Sequence, residues 1–188
     1  MSEDTESPTA IGLDGPTGWS IAGVGGGTLG ALAFGAIVWF VDPEVIADTL
    51  PAVYGLEQTG LTGWVLQAIH GAALGLLFGF LITRAPVLGV VRTDVETEAL
   101  ARTGDGARLV AAGFVYGLTI WALLPVIVLP VLAGAAGPSG AADFPGFAAE
   151  ILVGHLLFGI VLGVVFAALV DLSDRSSQAV MESSSEDR

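Results

Sequence analysis

The sequence contains no cysteine and no lysine, and these absences exclude several kinds of function. Without cysteine the chain has no disulfide, no thiol nucleophile and no thiolate ligand for zinc or an iron–sulfur cluster. All six basic residues are arginine, against 19 Asp and Glu, and the formal net charge is −13. So acidic a chain has no basic surface for nucleic acid, and no nucleic-acid partner is expected.

Charge of either sign is also scarce, at 13% of residues, whereas 53% are hydrophobic and the mean hydropathy is +0.79. Almost no charge falls in four stretches: 19–41, 61–83, 109–133 and 147–170. A helix that crosses the roughly 30 Å hydrocarbon core needs about 20 apolar residues, and each stretch reaches that length. The sequence therefore predicts an all-α protein with four transmembrane helices whose first partner is the lipid bilayer.

The chain divides around these spans into five segments. We predict an acidic disordered tail at 1–17, a two-helix unit at 18–83, an Arg-bearing connection at 84–108, a second two-helix unit at 109–170 and a disordered tail at 171–188. No basic region precedes the first apolar run, so we expect that span to be retained rather than cleaved as a signal peptide. In the third span, Pro125 and Pro130 are expected to kink or end the helix.

The arginines predict the orientation. All six lie in the connection or in the C-terminal tail: Arg84, Arg92, Arg102, Arg108, Arg175 and Arg188. The loops 42–60 and 134–146 have none. The positive-inside rule then predicts a multi-pass protein of the cell membrane with both termini in the cytoplasm.

An internal repeat relates the two halves. Residues 34–39 (FGAIVW), followed by Pro43, match residues 116–121 (YGLTIW), followed by Pro125, at an offset of 82. We interpret the protein as two repeated helical hairpins. Small residues let membrane helices approach closely, and the glycines predicted to pack helices are Gly26, Gly30, Gly75, Gly79, Gly113, Gly117, Gly159 and Gly163.

The last span, GHLLFGIVLGVVFAAL, resembles the closing helix of small haloarchaeal four-span membrane proteins of uncharacterised function. The resemblance implies a halophilic archaeal source, which agrees with an acidic chain without lysine. Some of those proteins carry a histidine kinase label. A kinase requires an ATP-binding domain with Asn and Gly boxes, and this sequence has no kinase, hydrolase or nucleotide-binding motif.

The only two histidines, His70 and His155, both lie inside apolar spans at similar predicted depth. An ionisable side chain at such a position is a functional hypothesis by default. One interpretation is a bis-histidine haem b site, although every arginine that would pair with the propionates is predicted at the opposite face. In the other, each neutral histidine makes one hydrogen bond, for instance to a carbonyl freed by Pro43 or Pro125, and sets helix register.

A candidate polar cluster accompanies the histidines: Gln67, Glu150, Trp39 and Trp121. Gln67 shares a helical face with His70, and Glu150 precedes His155 by five residues. The indoles are predicted either to anchor the helices at the interface or to wall a cavity around the histidines. No catalytic set and no metal site is predicted.

Three functions follow as alternatives. The first is a non-catalytic accessory or small subunit of a membrane assembly, or a homo-oligomer, with no cofactor. The second is a b-type haem or proton-coupled element that uses His70 and His155. The third is a small transporter or channel that uses Glu150.

Overall fold

The apolar stretches are helical in the structure, a computed structural model that describes residues 17–84, 104–142 and 149–170. The backbone alone is described at 105, 124–126 and 128–142. The α-helices of the described residues are α1 (Gly18–Val41), α2 (Leu50–Val53), α3 (Gly60–Ile82), α4 (Asp105–Ala142) and α5 (Ala149–Leu169). All but α2 are long and apolar enough to cross a membrane. The predicted all-α fold with four transmembrane helices is confirmed.

The predicted tails and most of the predicted connection lie outside the described residues, at 1–16, 85–103 and 171–188. Their predicted disorder and their arginine-bearing role stay predictions. The ends of α1 and α3 lie within a residue of the predicted spans. Thr59 is the N-cap of α3. Its Oγ1 accepts a hydrogen bond of 3.1 Å from the amide of Thr62, as is usual for a threonine at the N-cap position.

The fourth helix is much longer than predicted. It begins inside the predicted connection and continues through Pro125 and Pro130 to Ala142, a length of 38 residues. The expectation that a proline ends this helix is wrong. Each proline removes one backbone donor, but in lipid the remaining backbone groups have no partner other than the helix itself. At about 1.5 Å per residue, α4 is longer than the hydrocarbon core is thick.

The bundle is organised around α1, which packs against both α3 and α5, while α4 packs against α5. Tyr116 connects α4 to α3, because its hydroxyl donates a 2.8 Å hydrogen bond to the carbonyl of Leu74 and its ring lies 5.3 Å from that of Phe78. The main apolar cluster contains Phe78, Phe158 and Phe166. A second, smaller cluster contains Val38, Ile46 and Ile151; we call it the upper cluster.

Glycines let these helices approach to backbone contact. A Cβ atom on Gly27 of α1 would lie 2.0 Å from the carbonyl oxygen of Gly71 of α3, and one on Gly113 of α4 would lie 2.2 Å from that of Gly159 of α5. Neither position accommodates any side chain without separating the helices. At seven of the eight glycines predicted to pack helices, an added Cβ would lie less than 3.0 Å from a backbone atom of a neighbouring helix. At Gly26 the nearest atom belongs to the Leu162 side chain, at 3.1 Å.

The two hairpins use similar contacts in a register that differs from the sequence match. Gly27 lies against the carbonyl of Gly71, and Gly117 lies against that of His155. Gly71 and His155 are equivalent when the two Gly-x-x-x-Gly pairs are superimposed, so Gly117 takes the place of Gly27. The sequence match instead pairs Gly117 with Gly35, about two helical turns away. Duplication of a hairpin stays a prediction.

The chain between α1 and α3 folds back into the bundle. A π-helical turn (Val45–Thr49) leads into α2. The carbonyl of Ile46 lies against Gly63 in the first turn of α3, whereas Tyr54 contacts His70, about two turns further along. Residues 45–54, which we call the re-entrant segment, therefore run alongside α3 toward the middle of the bundle. The sequence had predicted only a short loop at 42–60.

Candidate ligand-binding cavity

A cavity of about 430 Å³ lies between the re-entrant segment and the four long helices. Its walls are mainly apolar, with Phe34, Val38, Leu74, Ile120 and Phe158 among them. The polar residues of the lining are Thr49, Tyr54, Gln67, His70 and His155. No charged residue is present among the described residues of the lining. Volume and lining are those of a small-molecule site, which typically measures roughly 300–1,000 Å³ and carries few polar groups.

His155 contributes one wall of the cavity from α5. Its side chain is only 7% exposed, and its ring centroid lies 4.5 Å from that of Phe34. The Nδ1 atom lies 2.7 Å from the carbonyl oxygen of Ile151, one turn earlier in the same helix. A carbonyl oxygen only accepts, so Nδ1 carries the proton and donates it. This bond fixes the ring orientation.

His70 lines the same cavity from α3. Its Nε2 atom is 2.5 Å from the hydroxyl of Tyr54, and the two rings lie 5.5 Å apart. Tyr54 ends the re-entrant segment, so the hydrogen bond attaches that segment to α3. Among the described residues, His155 bonds a carbonyl of its own helix and His70 bonds a tyrosine. The suggested bond to a carbonyl freed by Pro43 or Pro125 stays a prediction.

Gln67 completes the polar part of the lining. It is 8% exposed, and its Nε2 atom donates a 3.2 Å hydrogen bond to the carbonyl of Ala31 in α1. Gln67 lies one turn before His70 on α3, as the sequence pattern indicated. The structure therefore brings both histidines and Gln67 to one cavity.

The other three members of the predicted polar cluster lie elsewhere. The ring of Trp39 packs 5.8 Å from that of Trp64. Trp121 packs against the upper cluster, and Glu150 lies in the first turn of α5. None of the three belongs to the cavity lining. A carboxylate in a first helical turn is favoured by the helix dipole, which accounts for Glu150 without a role in the cavity.

Sequence reasoning missed Tyr54 and Thr49. Both belong to the stretch predicted as a loop, and no histidine or glycine pattern points to them. One signal was present: Val45, Ile46 and Leu50 are apolar residues at helical spacing, which is typical of a packed helix rather than a solvated loop.

The cavity opens sideways. Val53, Tyr54 and Ala73 belong to its lining and are also exposed. Ala73 is the fourteenth residue of α3, about 20 Å from the start of that helix. If α3 spans the bilayer, this level of the helix lies within the hydrocarbon core, and a mouth at Ala73 is then expected to open toward lipid.

The fold and the cavity define the class: an integral membrane protein with an apolar chamber inside a four-helix bundle. No protein-family model matches the chain, and no curated protein or solved structure matches it. What the cavity does has to follow from its own geometry.

Proposed function

We propose that the protein binds a small, largely apolar molecule that enters its cavity from the lipid phase. The observation that carries this proposal is the chamber of about 430 Å³ with uncharged walls and a mouth between the re-entrant segment and α3. An apolar molecule leaves lipid for such a chamber without losing hydration. An ion or a sugar would lose its hydration and gain few polar contacts.

A matched pair of substitutions on α4 tests the proposal. Ile120 lines the cavity, whereas Leu118 on the same helix is exposed to lipid. The protein is purified in mild detergent, extracted with organic solvent, and the extract is examined by mass spectrometry. We expect an apolar molecule retained at close to one per chain, retained less by Ile120→Trp because the larger indole takes up part of the chamber, and kept in Leu118→Trp.

Two results contradict the proposal. One is an extract that contains only bulk lipid in proportions equal to those of the surrounding membrane. The other is equal retention by Ile120→Trp and Leu118→Trp, provided that both variants elute as folded protein. Equal retention would place the molecule on the lipid-facing surface.

Haem b is the second candidate, favoured by the position of both histidines at one cavity. The bond from Nδ1 of His155 to a backbone carbonyl leaves Nε2 for iron, which is the usual arrangement of a ligating histidine. The described lining contributes no arginine to the propionates. An absorption spectrum of the same preparation decides: a Soret band that His155→Ala abolishes supports haem, and a colourless protein after haem supply ends this reading.

The accessory role in a membrane assembly is compatible with ligand binding and is proposed beside it. The packing glycines are already used between helices of the same chain. A partner or a second copy would therefore contact the exposed apolar side chains, such as Phe40 and Leu61. A halophilic archaeal source is proposed on the acidic, lysine-free composition. The transporter alternative has weaker support, because Glu150 lies outside the cavity lining.

A further inference from the structure

The ligand class is indicated by which polar atoms of the cavity remain available. We infer that the molecule carries a hydroxyl group, which donates a hydrogen bond to Nε2 of His155. This inference rests on the proposed function, since it specifies the molecule that the cavity binds. It depends on four polar side chains in the lining: Gln67, His155 and the Tyr54–His70 pair.

His155 offers an acceptor. Its Nδ1 atom holds the ring proton in the bond to Ile151, so in the neutral imidazole Nε2 has a lone pair and no hydrogen. Within the described residues, Nε2 has no hydrogen-bond partner. The side chain is more than nine-tenths buried and lines the cavity. The ring therefore presents to the cavity an acceptor that a donor from the ligand can satisfy.

Gln67 offers a donor and an acceptor. The carbonyl of Ala31 accepts, so the amide nitrogen must be the atom that faces it. One N–H is used there, and the second N–H and the amide oxygen have no partner among the residues that the structure describes. A hydroxyl that donates to His155 has lone pairs of its own, which can accept from such an N–H.

The Tyr54–His70 pair also keeps a donor. The phenol and the neutral imidazole have two polar hydrogens between them, and one is used in the bond that joins them. Whichever residue donates, the other polar hydrogen remains on the pair. This end of the cavity therefore suits a second oxygen or the same hydroxyl.

Other oxygen chemistries fit less well. A ketone oxygen only accepts hydrogen bonds, and Nε2 of His155 is also an acceptor. A bound ketone would therefore leave Nε2 without a donor. A carboxylate would be buried without a cation, since the described lining contains no basic residue other than the neutral histidines. An alcohol both donates and accepts, and it enters from lipid at little cost.

Three probes with the same ten-carbon chain test the inference: decanol, 2-decanone and decanoate. The full-length protein in lipid nanodiscs is labelled with a photoreactive decanol, and labelled peptides from α3 and α5 are quantified as each probe competes. We expect decanol to compete at about tenfold lower concentration than 2-decanone, since a buried unsatisfied acceptor typically costs that factor in affinity. Decanoate should compete least.

His155→Phe removes the acceptor and keeps a ring of similar shape. In this variant we expect decanol and 2-decanone to compete equally. Val153→Phe is the control, because it places the same side chain at a position of α5 that is 52% exposed. The preference for decanol should persist there.

Failure of the inference and failure of the proposed function are distinguishable. Equal competition by decanol and 2-decanone in the unmodified protein overturns the hydroxyl inference and leaves an apolar cavity in place; a water bound to Nε2 would give this result. A preference that persists in His155→Phe removes His155 from recognition. No displaceable label on cavity peptides with any probe overturns the proposed function itself.

Discussion

Gly25 and Gly27 lie close together in α1 but meet different surroundings. A Cβ atom added to Gly27 would lie 2.0 Å from a backbone oxygen of α3, whereas one added to Gly25 would find no atom within 4 Å. A flexible side chain can move away from a new methyl group, but the backbone of a neighbouring helix cannot do so without shifting the helix. The pair therefore separates packing from the intrinsic effect of replacing glycine by alanine.

We predict that Gly27→Ala destabilises the folded bundle by about 1–3 kcal/mol, the range for an overpacked interior. Gly25→Ala should change stability by less than about 0.5 kcal/mol, as is usual for positions without close contacts. Tryptophan fluorescence during unfolding in mixed detergent measures both variants. Equal midpoints for the two would contradict the close approach of α1 and α3.

Among the polar residues of the cavity, the sequence predicted His70, His155 and Gln67 but not Tyr54 and Thr49. Both histidines and Gln67 stand out because polar residues are rare in the spans, and the helical period places Gln67 with His70. One of the two predictions for Trp121 placed its indole in the cavity wall, but the ring packs against the upper cluster. Side-chain direction across an interface depends on helix rotation, which glycine spacing does not specify.

Among the elements, the re-entrant segment departs furthest from what its sequence suggests. Asp42, Glu44 and Asp48 give the loop 42–60 an acidic, solvated character. Its apolar residues nevertheless form a helix that packs on α3, with Ile46 3% exposed and Pro51 fully buried. Non-helical or broken backbone at membrane depth is tolerated where protein surrounds it. The π-helical turn fits this place, since such turns are frequent at functional sites.

The absence of native cysteine makes this segment directly testable with single cysteines. We predict that Val53→Cys reacts with a charged, membrane-impermeant maleimide at least about tenfold more slowly than Asp42→Cys, because reagent and thiolate would both have to leave water. After denaturation in SDS both cysteines should react equally, because both thiols are then exposed to water. Equal rates with the charged reagent would place residues 45–54 at the membrane surface.

The existence of the long helices followed from the apolar runs, because each stretch had to satisfy its backbone in lipid. The end of α4 did not follow, since the rule that proline stops a helix is calibrated on chains that exchange backbone hydrogen bonds with water. In hydrocarbon that competitor is missing, and the helix continues past Pro125 and Pro130.

For the whole molecule, the number of spans links the positions of both tails and of the connection between α3 and α4. With four crossings, these three parts lie on one side, and the loop after α1 lies on the other. Every arginine belongs to the first group, and the loop 42–60 has none. Moving arginine-rich segments outward is unfavourable, so we predict from this asymmetry that the first group lies in the cytoplasm.

We predict that an impermeant thiol reagent added to intact cells labels Asp42→Cys and not Thr93→Cys, and that inside-out vesicles give the reverse pattern. Thr93→Cys replaces an uncharged residue, so the arginines on which the predicted orientation depends stay in place. The same substitutions place the cavity mouth, because the re-entrant segment follows Asp42 and shares its side. Labelling of Thr93→Cys from outside would invert the molecule, and ligand would then reach the cavity from the cytoplasmic leaflet. Labelling of both from outside would mean an even number of crossings between them, which contradicts the bundle, since α3 alone separates these two residues and crosses once.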